Sequence, residues 1–121
     1  MADKVHYNKL IRDKIPEKMD SVGAAYETRT LSEEEFEQAL LRKVEEEASA
    51  LPVATSREEL IEELADVMDV IDEIKRLKSI TNEEMTTAQI KTTGKKGGFK
   101  KRLFLLWSAN DGYKTNENRN G

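Results

Sequence analysis

Two Ser-x-x-Glu boxes with a proline between them constrain this chain more than any other feature. In Ser32-Glu33-Glu34-Glu35 the serine hydroxyl can accept from the amide three residues on, while the glutamate reaches back to the serine amide. Leu31 and Phe36 take the spacing of a hydrophobic staple around that box. A helix is therefore expected to start at Ser32 and run to about Leu51, where Pro52 opposes continuation. Ser56-Arg57-Glu58-Glu59 repeats the box and opens a longer helix to about Lys78. The connection Pro52-Val53-Ala54-Thr55 is short, so the two helices are expected to pack antiparallel, as a hairpin.

The rest of the chain is more weakly marked. Pro16 suits a first helical position and Gly23 the residue just past a helix end, which predicts a short helix over 16–22. AAYETRTL, 24–31, reads as extended. Thr81-Asn82-Glu83-Glu84 is a third cap, opening a helix to about Lys91. TTGKKGG, 92–98, reads as a basic glycine-containing loop, and FKKRLFLLW, 99–107, as a docked strand or final turn. The polar segment 108–121 is expected to be a disordered tail. The expectation is an all-α fold. A helical hairpin forms the core of a four-helix bundle, with short extended segments near both ends, in one domain over 1–107.

Composition narrows the class. Of the 121 residues, 37% are apolar and 36% charged, which predicts a lean core and makes a homo-oligomer plausible. There is no cysteine, hence no disulfide and no thiolate metal site. No apolar run approaches ~18 residues, and MADKVHYNKL lacks the apolar stretch of a signal peptide, so no membrane association and a cytoplasmic location are expected. Residues 31–75 carry 15 acidic and 4 basic side chains, whereas 91–121 carry 8 basic and 2 acidic. Such a split suits a site holding a cation at one end and phosphates at the other. A nucleic-acid-binding domain is more often basic throughout, so no polymeric nucleic acid is expected as a partner.

The unusual residues are carboxylates on apolar faces. At about 100° per residue the apolar side of the first long helix is Phe36, Leu40, Val44, Ala48 and Leu51, and Glu47 falls inside that stripe. On the second, the expected inner stripe is Leu60, Leu64, Val67, Ile71 and Ile74. Glu63 lies within this arc and Asp66 at its edge, while Glu62 and Asp69 point further out. Antiparallel packing would bring Glu47 close to Glu63 and Asp66. Carboxylates so placed must be protonated, paired with bases or bound to a cation. Lys43, four residues before Glu47, can pair with it but cannot serve the whole cluster. A hard divalent ion with oxygen ligands serves it directly.

These residues also carry a resemblance. Glu46-Glu47, followed on the next helix by Glu63-Leu64-Ala65-Asp66, resembles the Glu-Glu-x-x-Glu and Glu-x-x-Asp motifs of the MazG-like all-α nucleoside triphosphate pyrophosphohydrolase superfamily. Tyr7-Asn8-Lys9-Leu10-Ile11-Arg12-Asp13-Lys14-Ile15-Pro16 and Lys96-Gly97-Gly98-Phe99 are similar to a small single-domain, phosphoribosyl-ATP pyrophosphohydrolase-like house-cleaning branch. The resemblance spans about residues 5–106. It implies hydrolysis of a standard or modified nucleoside triphosphate to monophosphate and pyrophosphate, with Mg²⁺ as cofactor and Mn²⁺ as its substitute. It assigns Glu47, Glu63 and Asp66 to metal, and Glu46 to activating water or completing the metal shell. Lys9, Arg12, Lys14, Lys95 and Lys96 are the candidate phosphate-binding cations. It also implies a homodimer or homotetramer. One departure stands out: the third glutamate of the first motif would fall at position 50, which is Ala50. That substitution keeps open an alternative, a non-catalytic nucleotide- or protein-binding helical module on the same fold.

Overall fold

The structure, a computed structural model, describes residues 3–110, so most of the expected polar tail lies outside the described residues. The chain divides into two compact units, the first running to Asn82 and the second starting at Glu83. It is all-α, with four α-helices and, among the described residues, no strand.

The first unit holds α1 (Ile15–Ser21), α2 (Glu33–Ala48), a 3₁₀ turn (Leu51–Val53) and α3 (Arg57–Lys78). Pro16 sits in the first turn of α1, where its missing amide costs nothing. The helix ends in a Schellman motif: Gly23 adopts φ 68, its amide donates to the Asp20 carbonyl at 3.1 Å, and the Ala24 amide donates to that of Met19 at 3.0 Å. The extended reading of 24–31 corresponds to irregular backbone rather than a strand. Both halves of the Ser32 box form: the Glu35 amide donates to the Ser32 hydroxyl and the Ser32 amide to the Glu35 carboxylate, each at 3.2 Å. Arg29 grips the same carboxylate with both terminal guanidinium nitrogens, Nη1 and Nη2, at 3.3 and 2.9 Å, and ties the irregular segment to the start of α2. The second box forms by half. Ser56 caps the Glu59 amide at 3.1 Å, but the Glu59 carboxylate turns to the Thr55 amide and hydroxyl.

The link from α2 to α3 is short, and the two helices pack against each other as the antiparallel pair expected from it. Direction follows from the contacts at each end: Glu47 near the end of α2 lies by Glu63 early in α3, while Glu37 early in α2 accepts from Lys78 at the end of α3 at 2.8 Å. The core between them is thin. Leu40, at 5% exposure, is the one buried residue among those described. Phe36, Val44, Val67, Val70, Ile71, Ile74 and Leu77 are half-buried around it. The expected inner stripe of α3 needs correction, because Leu60 and Leu64 are exposed together with Ile61 and Met68. The apolar arc of α3 is wider than one neighbouring helix can cover, and α2 takes the Val67–Val70–Ile74 side of it.

The second unit contains all but the first residue of α4 (Asn82–Lys96), which ends five residues beyond the expected end. A basic glycine loop was expected over 92–98. Instead the helix runs through Gly94, a cost of about 1 kcal/mol relative to alanine. Gly97 at φ 80 stops it, its amide donating to the Thr93 carbonyl at 2.8 Å. Lys95 and Lys96 in the last turn and Glu83 and Glu84 in the first match the helix dipole. A turn follows over Phe99–Arg102, closed by the Arg102 amide on the Phe99 carbonyl at 3.1 Å. Of the docked strand or final turn expected over 99–107, only the turn forms, and Phe99, Leu103, Phe104, Leu106 and Trp107 are all exposed.

Candidate metal site of the helical hairpin

Helical register builds this site. Glu63 and Asp66 stand three residues apart on α3, hence one above the other on one face. Glu47 meets them from α2. Each of the three offers a carboxylate oxygen, and these oxygens lie within 4.8 Å of one another, all half-buried. Two ligands on opposite sides of a Mg²⁺ ion stand about 4.2 Å apart. The spread is therefore within reach of small side-chain rotations. At an effective dielectric near 20, two unit charges this close repel by roughly 3 kcal/mol. The donor set is oxygen only, which fits a hard divalent cation and not a thiophilic one.

Cations of the protein compensate part of the charge. Lys43 Nζ lies 3.4 Å from Glu47 Oε1 and 3.4 Å from Glu46 Oε1. Lys9 reaches Glu46 from the N-terminal segment at 3.4 Å and also lies over the Tyr7 ring, 5.7 Å from its centre. Arg12 places Nη2 3.0 Å from Asp66 Oδ1 and Nη1 3.0 Å from Asp69 Oδ2. Asp69's hydrogen bond, more than any other influence, raises the Arg12 pKa, so the guanidinium stays charged. For Glu46 partial burial is the largest single influence and pushes upward, but Lys43 and Lys9 together hold its carboxyl below the ordinary range. Five carboxylates (Glu46, Glu47, Glu63, Asp66 and Asp69) thus face three cations (Lys9, Arg12 and Lys43).

The sequence-predicted residues fare differently. Glu47, Glu63 and Asp66 come together. Glu46 stands beside the cluster, bound to its two lysines. Lys9 and Arg12 reach acidic residues of the hairpin. Lys14 is exposed at the N-cap of α1 and makes no ion pair among the described residues. Lys95 and Lys96 belong to the second unit. Glu59 and Glu73, which stood near the expected cluster in sequence, are engaged by Thr55 and Arg76 respectively. Ala50 is half-buried just past the end of α2, its amide on the Glu47 carbonyl at 3.2 Å. Asp69 is exposed, as its outward register predicts, and in addition shares Arg12 with Asp66. The signal available was its spacing, three residues from Asp66 along one helix flank.

No family model, curated protein or solved structure matches the chain. Among the described residues, no helix is long and apolar enough to cross a membrane.

Proposed function

We propose that the protein is a divalent-cation-dependent nucleoside triphosphate pyrophosphohydrolase, of the house-cleaning kind that clears standard or modified nucleotides. The observation that carries this reading is the oxygen cluster of Glu47, Glu63 and Asp66, in which Glu63 has no cation partner among the described residues. The sequence resemblance to MazG-like enzymes supplies the reaction. A four-helix bundle around the hairpin core, a homodimer or homotetramer, and a cytoplasmic setting belong to the same reading.

Glu47, Glu63 and Asp66 would hold Mg²⁺ or Mn²⁺. When bound, the ion neutralises charge on the triphosphate and on the departing pyrophosphate. Water adds to the α-phosphorus, the bond to the oxygen bridging α and β breaks, and pyrophosphate leaves. Glu46, ionised at neutral pH, takes the proton of that water or completes the metal shell. Arg12 stands at the edge of the cluster with a planar fork that fits phosphate oxygens. Lys9 and Lys14, on the same N-terminal segment, are the other phosphate contacts of this reading within the first unit.

Ala50 favours one second reading. With a methyl group where the motif has a carboxylate, the same fold would bind nucleotide or a protein partner without turnover. One experiment separates the two. The purified protein is incubated with a panel of standard and modified nucleoside triphosphates, with and without Mg²⁺ or Mn²⁺, and assayed for monophosphate and pyrophosphate beside Glu63→Ala. Metal-dependent pyrophosphate release that vanishes in Glu63→Ala is the expected result. Absence of turnover across the panel at high metal would replace the enzyme with the binding module.

A further inference from the structure

Beside the carboxylate cluster, and within the first unit, lies a cleft of about 280 Å³ between the N-terminal segment and α2. Tyr7, Asn8 and Lys9 line one wall, and Arg42, Lys43 and Glu46 the other. The α2 wall follows from register, because Glu46 stands four residues after Arg42 and three after Lys43. On the opposite wall Asn8 adopts φ 46, a left-handed conformation that asparagine tolerates better than most residues, and turns the segment there.

The cleft has cations to offer. Arg42 is exposed and makes no ion pair among the described residues. Lys9 and Lys43 do pair, but each nitrogen stays 3.4 Å from its carboxylate partners, beyond the roughly 2.7–2.9 Å of a tight charged hydrogen bond. An ammonium carries three donors, so both lysines keep one for a better-placed anion. Lys43 also joins the cleft to the metal site, since the ammonium that reaches Glu46 reaches Glu47 as well.

These contacts suit phosphate better than a base. Sites for whole drug-sized ligands take roughly 300–1,000 Å³, so this cleft has room for one end of a nucleotide. Lys9 lies over a face of the Tyr7 ring, 5.7 Å from its centre, where a base would otherwise stack. The guanidinium fork of Arg42 matches two oxygens of one phosphoryl group, and a base brings it no charge. We propose that the cleft is the subsite for the pyrophosphate end of the nucleotide, with Arg42 as its anchor and Lys9 and Lys43 as flanking contacts. The β- and γ-phosphates lie between α2 and the N-terminal segment, and the nucleoside stays outside the cleft. The nucleotide in this assignment rests on the pyrophosphohydrolase reading, whereas the preference for a pyrophosphate anion rests on the cleft alone.

Inorganic pyrophosphate is titrated into the isotope-labelled full chain in EDTA, so that neither metal nor turnover enters, and amide resonances are followed. Those of residues 7–9 and 42–46 are expected to shift and to saturate at millimolar pyrophosphate. Arg42→Ala is expected to weaken binding roughly tenfold, and Arg42→Lys to recover part of it, because the charge returns without the fork. Alanine is the best helix former, so the exposed site on α2 accepts it. Arg57→Ala, the same loss of charge at the start of α3, is expected to leave the affinity unchanged. Pyrophosphate that leaves those amides unmoved, or that binds Arg42→Ala as tightly as the wild type, would overturn the proposal. So would an uncharged nucleoside that moves the same amides, since a base would then fill the cleft. Nucleotide turnover beside unchanged pyrophosphate affinity in Arg42→Ala would strike out the cleft and keep the enzyme. Arg42-dependent binding in a chain that hydrolyses no nucleotide would strike out the nucleotide and leave a pyrophosphate site.

Discussion

Glu63 is the least compensated member of the cluster: Lys43 serves Glu47 and Arg12 serves Asp66, while among the described residues no cation pairs with Glu63. Its charge opposes folding in the absence of metal and supports it when a cation is held. Replacing Glu63 with glutamine is therefore expected to raise stability in EDTA by roughly 1 kcal/mol, the repulsion being discounted for solvent. The same change should abolish stabilisation by Mg²⁺, and urea unfolding with and without the ion reads both effects. Ser79 offers a contrast unconnected with function. It ends α3 at φ 55, a left-handed conformation that favours glycine, with the Ile80 amide on the Lys75 carbonyl at 2.8 Å. Ser79→Gly is expected to stabilise the protein by about 1 kcal/mol in the same experiment. The positions of Glu47, Glu63 and Asp66 were legible in the sequence because helical register alone assigns them to facing stripes. The hold of Arg12 on Asp66 and Asp69 was not, since it joins residues far apart through an irregular segment that has no periodicity to read.

Helix α2 shows how local chemistry fixes an element and its response to pH. Ser32→Ala removes one side of a complete capping box and is expected to cost about 1 kcal/mol. Arg29 foremost, with Ser32, holds the Glu35 carboxyl down at about 2, against an ordinary value of 4.5. A carboxyl whose pKa falls on folding stabilises the folded state above its unfolded value. That contribution is expected to be present above about pH 4.5 and to disappear as pH falls toward 2. Arg29→Ala should flatten this part of the profile, which denaturant midpoints measured between pH 7 and 2 would record. The start of α2 and the whole of α3 were legible for the same local reason: caps and prolines act within a turn. The faces were less so. Periodicity shows that Leu60 and Leu64 share an apolar arc with Val67 and Ile74, but which part of the arc α2 covers is a matter of packing. The end of α4 was missed because a glycine flanked by lysines reads as a loop, whereas Gly94 continues the helix and Gly97 ends it.

Across the chain, charge is divided, with 15 acidic and 4 basic side chains over 31–75 and 8 basic and 2 acidic over 91–121. The central claim is narrower, namely that the hairpin carboxylates form a site for a divalent ion. Calorimetric titration of Mn²⁺ into the wild type, Glu63→Ala and Ala50→Glu tests it most directly. The account predicts one ion per chain in the wild type, loss of the binding heat in Glu63→Ala, and affinity raised roughly tenfold in Ala50→Glu, equivalent to about 1.4 kcal/mol from one added ligand. Absence of binding heat in the wild type up to millimolar Mn²⁺, or binding that survives in Glu63→Ala, would contradict it.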